Sequence, residues 1–329
     1  MNHPEFRIAF ATVATLCAGL AISLTAAAED AWPAGRTITY VVPYPPGGTT
    51  DILGRTITQR LGQALKTTVI VDNKAGATGT IGGAFVARAA PDGQTLLGTS
   101  IGPQAIVPHL MKLPYDPAKA YEPVSLVGTV PHLLVVNSSS PYTSVAQLVE
   151  AAKAKPGSVS FASGGNGTIL QMQGELLRLQ TKTTMTHVPY KGDVPALQDV
   201  MGGQVTFVFA PIAAALPHVQ SGKVRALAVT SAKRSPSLPA VPTMGEAGFK
   251  DFVVEQWQAI YAPAKTPAPI VERLHQEVRR ILKDPAVVAS FDKIGVTVVD
   301  GAPAQLAQRQ AADSARWGAV IREAGIKLD

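Results

Sequence analysis

Val41-Val42-Pro43-Tyr44-Pro45-Pro46-Gly47-Gly48-Thr49-Thr50-Asp51 is the stretch around which the rest of the chain is organised. The β-branched, apolar run leading into it, Thr37 to Val42, predicts a buried strand. Beyond it Ile52, Leu53, Ile57, Leu61 and Leu65 recur at helical spacing and predict a helix over Thr50–Leu65. Prolines 43, 45 and 46 stiffen the turn between them, while Gly47-Gly48 can take dihedrals closed to other residues. Thr49, Thr50 or Asp51 can cap the helix, whose first amides have no partner inside it. Bare glycine amides at a helix start make a seat for an anion. An ordinary strand-to-helix connection makes the same demands on sequence, so this stretch alone leaves both readings open.

Outward from that turn, strand-like and helix-like runs alternate. Strands are expected at Thr37–Val42, Thr68–Val71, Thr95–Gly98 and Leu133–Val136, with helices at Thr50–Leu65 and Gly79–Ala90. The pattern repeats from Ser144 to Thr230, with helices at Val145–Ala154, Gln171–Gln180 and Ala196–Gly202. Strands are expected there at Ser158–Ala162, near Thr186, at Thr206–Ala210 and at Ala226–Thr230. Helices follow at Ala268–Lys283, Pro285–Ile294 and Pro303–Ala324. Such alternation predicts an α/β fold of parallel sheets covered by helices, here in two lobes with a cleft beyond the carboxyl ends of their strands.

Two more glycine-bearing turns bear on that cleft. Gly76-Ala77-Thr78-Gly79-Thr80-Ile81-Gly82-Gly83 fits a loose dinucleotide pattern. Asp72-Asn73-Lys74 separates it from its strand, however, and Pro91-Asp92-Gly93 stands where an acidic ribose ligand would end the next one. Tight helix packing is the better reading, and no cofactor is expected. Ser163-Gly164-Gly165-Asn166-Gly167-Thr168 again joins a strand to a helix and offers hydroxyl and amide groups beside backbone N–H donors. Neutral donors of this kind suit a carboxylate held reversibly. If the fold is two-lobed, this turn and the one at Gly47-Gly48 come from different lobes.

Composition sets the outer limits. The chain has 329 residues, 46% hydrophobic and 16% charged, enough for a substantial core. A net charge of +6, without a dense Lys/Arg cluster, argues against a nucleic-acid partner. Met1 to Arg7, the apolar run Ile8–Leu24 and the small residues Thr25-Ala26-Ala27-Ala28 predict an export signal cut after Ala28, with an uncut membrane anchor as the other reading. Cys17, the single cysteine, lies inside that run, so the mature chain is expected to have no disulfide. His109, His132, His187 and His218 have no metal-site spacing. Thr99-Ser100-Ile101-Gly102 lacks the leading glycine of a nucleophile elbow, so no catalytic residue is assigned.

Several phrases together resemble one family. They are Val42–Asp51, Asn73-Lys74-Ala75-Gly76-Ala77, Ala90-Pro91-Asp92-Gly93-Gln94-Thr95-Leu96 and Leu113-Pro114-Tyr115-Asp116-Pro117. Later ones are His187-Val188-Pro189-Tyr190-Lys191-Gly192, Gly222–Thr230 and Ala240–Gly248. They look like the Bug-type extracytoplasmic solute receptors of tripartite tricarboxylate transporters, over essentially the whole mature chain. The resemblance implies a monomeric, two-lobed Venus-flytrap protein of the type II periplasmic-binding-protein fold. Such a protein closes on a small organic acid and hands it to a permease of one large and one small subunit. It also implies a division into residues 29–132 and 252–329 for one lobe and 133–251 for the other.

By the same resemblance Tyr44, Pro45, Gly47, Gly48, Thr49, Thr99 and Ser100 face the ligand from the first lobe. Ser163, Gly164, Gly165, Asn166, Gly167, Thr168, Tyr190, Asp193, Ala210 and Pro211 face it from the second. Ile169 and Asp193 depart from the family pattern. Ile169 either faces the cleft or joins the core. Asp193 either repels a second ligand carboxylate and attracts an amine or ring N–H, or merely caps the helix near Pro195. Trp257 is read as a core aromatic or a stacking platform where the lobes meet. The lobes are expected to hinge near Leu126–His132 and Phe249–Gln256. An exported α/β enzyme and a ligand-sensing partner of a receptor kinase are the competing functions.

Overall fold

A computed structural model describes residues 32–327. The expected export signal and Cys17 lie outside the described residues. Among those described, no helix is long and apolar enough to cross a membrane.

The opening stretch folds as strand, turn and helix. Strand β1 (Ile38–Val42) sends Ile38, Tyr40 and Val42 to one face, where they meet Leu53, Ile57 and Leu61 of helix α1 (Thr49–Leu65). Val41 points to the other face and joins a second core, as the two-residue period of a strand requires. The remaining strands are β2 (Val69–Asn73), β3 (Thr95–Ser100), β4 (Tyr121–Asn137), β5 (Ser160–Ser163), β6 (Thr186–Pro189), β7 (Phe207–Pro211), β8 (Val224–Val229), β9 (Glu255–Pro263) and β10 (Thr297–Gly301). The helices after α1 are α2 (Thr80–Ala87), α3 (Val145–Ala154), α4 (Ile169–Thr181), α5 (Asp193–Met201), α6 (Ile212–Gln220), α7 (Ala268–Leu282), α8 (Pro285–Lys293) and α9 (Pro303–Ala324).

Strands run in the order β2-β1-β3-β9-β4-β7-β5-β6, with β8 and β10 also paired to β4. Strand β4 is the shared member. Its residues Tyr121 to Pro131 pair with β9, and His132 onward pairs with β7 and β8. Where two separate parallel sheets were expected, one long antiparallel strand runs through both, and β9 is antiparallel as well. The first sheet therefore mixes parallel β1, β2 and β3 with antiparallel neighbours, and in the second β5, β6, β7 and β8 all run one way, antiparallel to β4.

The second core gathers around β4 and β7. Leu133 to Val136 and Phe207 to Ala210 are buried against Leu148, Leu176 and Leu177 of the flanking helices. Helix α9 joins this core through Trp317, Val320 and Ile321, although the chain enters it from the first sheet. It is tied to the 251–254 segment by Arg316, which donates to the carbonyls of Val253 and Asp251 at 2.8 and 2.7 Å.

Candidate functional site

Strand direction decides where a site can form. Strand β3 is antiparallel to β9, which is antiparallel to β4, so β3 and its parallel neighbour β1 run the same way as β4. Strand β7 is antiparallel to β4, so β7, β5 and β6 run the opposite way. The carboxyl edges of the two sheets therefore point at each other. Ser100, the last residue of β3, aligns through Gln258 with Gly128, whereas Pro211, the last of β7, aligns with His132. Four steps along a strand separate the two levels, roughly 13 Å at about 3.3 Å per residue. Both glycine-bordered turns rise from these opposed edges, the position at which α/β sheets take ligands.

On the first edge, Gly48 is the N-cap of α1 and offers no side chain to the first amides. Asp51, not Thr49 or Thr50, stabilises this start. Its buried carboxylate accepts from the Gly47 amide at 2.9 Å, from Asn73 Nδ2 at 2.9 Å and from Arg55 Nε at 2.9 Å. Burial pushes this carboxyl up, but the bonds from Arg55, Gly47 and Asn73 outweigh it and leave it below the usual carboxylate value. Asn73 also donates to the Tyr44 carbonyl at 3.1 Å, which fastens both ends of the turn. The Tyr44 hydroxyl and Ser100 Oγ are 2.8 Å apart, and burial raises the phenol to about 12. Tyr44, Thr99 and Ser100 thus form one wall, with Pro45, Gly47 and Gly48 exposed and Thr49 half-buried at its rim.

The second glycine pattern packs behind this wall. A Cβ on Gly79 would press on Pro103 and approach Tyr44, and one on Gly82 would press on Pro43. These glycines let α2 approach the turn closely.

On the second edge, Thr168 caps α4 by accepting from the Gln171 amide, and Gln171 Oε1 in turn accepts from the Gly167 amide at 2.7 Å. This reciprocal cap holds the turn closed. Ser163 is fully buried; its hydroxyl donates to the Gly165 carbonyl and lies 2.7 Å from His187 Nε2, so it braces the turn from behind. The His187 ring stacks on Phe161, and burial lowers its pKa to about 4, which keeps it neutral. The 190–193 loop lies alongside: the Tyr190 amide donates to Ser163 and the Gly192 amide to Gly164, at 2.9 and 3.1 Å. Tyr190 itself donates to Asp199 at 2.6 Å. Ala210 is buried and Pro211 half-buried at the end of β7.

The expected residues therefore fall into two groups, one on each edge. Ile169 is buried in the core, the second of the two positions its sequence allowed. Trp257 is fully buried and its Nε1 donates to Asp313 at 2.8 Å, which makes it the core aromatic of its two readings. Asp193 does not cap: Gly192 is the N-cap of α5, without a side-chain bond. Asp51 is one of the three capping candidates the sequence offered, whereas the bracing roles of Asn73, Gln171 and His187 escaped the sequence reading. Asn73 stands at the end of a strand, and His187 signals its role only through Ser163 across the sheet. An open groove of about 520 Å³ lined by Gly35, Gln63, Lys66 and Thr68 lies at the opposite, amino-terminal edge of the first sheet.

Comparison with known proteins agrees with this fold. A family model described as tripartite tricarboxylate transporter family receptor matches residues 53–326. Protein BugT of Bordetella pertussis is 40% identical over 313 residues, covering 94% of this chain and 95% of BugT. The structure of periplasmic binding protein BugD is 34% identical with a TM-score of 0.75, over 89% of this chain and 99% of BugD. MatC from Rhodopseudomonas palustris, solved with bound malate, is 34% identical with a TM-score of 0.75, over 87% of this chain and 99% of MatC. The chain belongs to the tripartite tricarboxylate transporter receptor family, a family of periplasmic solute-binding proteins.

Proposed function

We propose that this protein captures a small organic carboxylate between the Tyr44–Thr49 and Ser163–Thr168 turns and delivers it to a membrane permease of one large and one small subunit. The observation that supports this reading is the opposition of the two carboxyl edges along β4, the edges from which α1 and α4 start. MatC's bound malate supports a carboxylate as the ligand class. The chain is divided at residues 132 and 251. The lobes hinge where β4 changes partners and where the chain returns to the first sheet before β9. The open form leaves both helix starts hydrated. A carboxylate touches both only when the lobes approach, so its higher affinity for the closed form drives closure. No bond is broken and no group changes protonation, so the protein acts as a monomeric receptor in the periplasm, not as an enzyme.

A thermal-shift panel of malate, adipate, an amide and NAD tests this reading. Stabilisation by an acid that grows with its concentration, together with a smaller radius of gyration in solution scattering, is the expected result. A shift with NAD alone would sink it.

A further inference from the structure

Gly164 and Asp193 share one spot on the second edge. A Cβ added to Gly164 would fall inside the Asp193 carboxylate and lie 3.3 Å from the Asp193 amide nitrogen. The carboxylate thus rests directly on the turn that the proposed function gives to the ligand, and the Gly192–Gly164 backbone bond locks the two together. Asp193 is the first residue of α5, where it makes no cap, so the carboxylate is not consumed by its own helix. Its pKa is raised by burial alone, and no cation offsets that among the described residues. The nearest lysine in sequence, Lys191, is exposed. Several buried acids elsewhere are matched by a cation: Asp51 with Arg55, Glu175 with Arg178, Glu277 with Arg273 and Arg280, and Asp313 with Arg309.

An uncompensated carboxylate beside a ligand turn has consequences for choice of ligand. A second ligand carboxylate placed there would meet like charge in a partly desolvated site, which costs affinity and discriminates against such ligands. An ammonium or ring N–H placed there gains a charge-assisted hydrogen bond and relieves the unpaired acid. We infer that Asp193 is a specificity-determining residue, selecting an acid that carries an N–H donor over the plain dicarboxylate of the same length. This rests on the proposed binding between the two turns and adds the chemistry of the far end of the ligand.

The test is titration calorimetry of the full chain with matched pairs, succinate against aspartate and glutarate against glutamate, for the parent and Asp193→Asn. The parent is expected to bind the amino acid of each pair at least tenfold more tightly. Asp193→Asn should melt no lower than the parent when free, because it removes an unpaired desolvated charge, and should lose most of that preference and bind the plain dicarboxylate more tightly than the parent does. Equal binding within each pair by the parent, or a preference unchanged in Asp193→Asn, overturns the inference and leaves capture between the turns standing. Binding of neither series, with no shift from malate or adipate, overturns both.

Discussion

Nε2 of Gln173 lies 3.1 Å from Nδ1 of His132 and donates to the Val254 carbonyl at 3.3 Å, with both side chains fully buried. His132 is where β4 changes partners, and Val254 immediately precedes β9. Gln173 stands shortly after the cap of α4, so one amide connects the helix of the second turn to both strands that join the sheets. Gln173→Leu keeps the volume roughly but leaves the Val254 carbonyl without this donor. A lost buried partner costs about 1–3 kcal/mol. The expected reading is a lower urea midpoint with an unchanged slope. A variant as stable as the parent would show that this bond contributes nothing.

Acidity should find the same place. Burial lowers His132 to about 3 and His187 to about 4 in the folded chain, against roughly 6.5 when unfolded. The unfolded chain therefore binds protons first, so stability falls as pH drops below about 6.5 and continues to fall toward the folded values. Between pH 6.5 and 5 the two rings together contribute a slope of at most about 2.7 kcal/mol per pH unit, from about 1.36 each. Asp193 and Glu255, both raised by burial, act in the opposite sense once the carboxylate range is reached. Calorimetric melting at stepped pH checks this, and His187→Gln should roughly halve the slope between pH 6.5 and 5.

The turn at Gly47 depends on a residue outside it. Asn73 holds the Tyr44 carbonyl and the Asp51 carboxylate, and Asp51 in turn holds the Gly47 amide. Asn73→Ala is expected to cost about 1–2 kcal/mol and Asp51→Ala about 2–3 kcal/mol, since the freed partners are partly reachable by water. Because they serve one network, the double variant should cost less than the sum, by about 0.5 kcal/mol or more. Affinity for the captured acid should fall in each single variant. Strict additivity in denaturant titrations would separate the two residues.

How far the sequence could be read varies along the chain for physical reasons. Strand β1, the first turn and α1 were legible because a two-residue period gives way to a helical one across a proline-glycine turn. Helices α3 and α9 were found with the bounds observed. Strand β4 was read only at Leu133–Val136, because Pro123, Gly128 and Pro131 punctuate it. The folded strand absorbs the first two with register shifts between Pro123 and Ser125 and between Leu126 and Gly128. Helix α6 was missed because Pro217 lies inside it. Strands β9 and β10 were missed as well: the first opens on polar residues in Glu255-Gln256-Trp257-Gln258, and the second is short and ends in Gly301. At the site, both turns could be read, since glycines and a following helix advertise them. Their braces could not, because Asn73 and His187 act across strands, where spacing along the chain carries no signal.

Two glycines on the opposed edges separate conformational strain from steric conflict. Gly47 has φ +87° and no atom within 4 Å of an added Cβ, so Gly47→Ala pays only for the left-handed backbone, about 1–2 kcal/mol. Gly164→Ala meets no such backbone penalty but drives a methyl into Asp193. The Asp193 carboxylate must then swing off the turn, and its amide nitrogen, 3.3 Å from the added carbon, must give by a few tenths of an ångström, at a cost of about 1–3 kcal/mol. Asp193→Ala in the same chain removes the obstructing carboxylate, so the double variant should regain most of the stability lost by Gly164→Ala. No second substitution near Gly47 should rescue Gly47→Ala, because nothing there obstructs it. Melting curves of the four variants decide the matter: if Asp193→Ala brings no relief, the carboxylate does not rest on that turn.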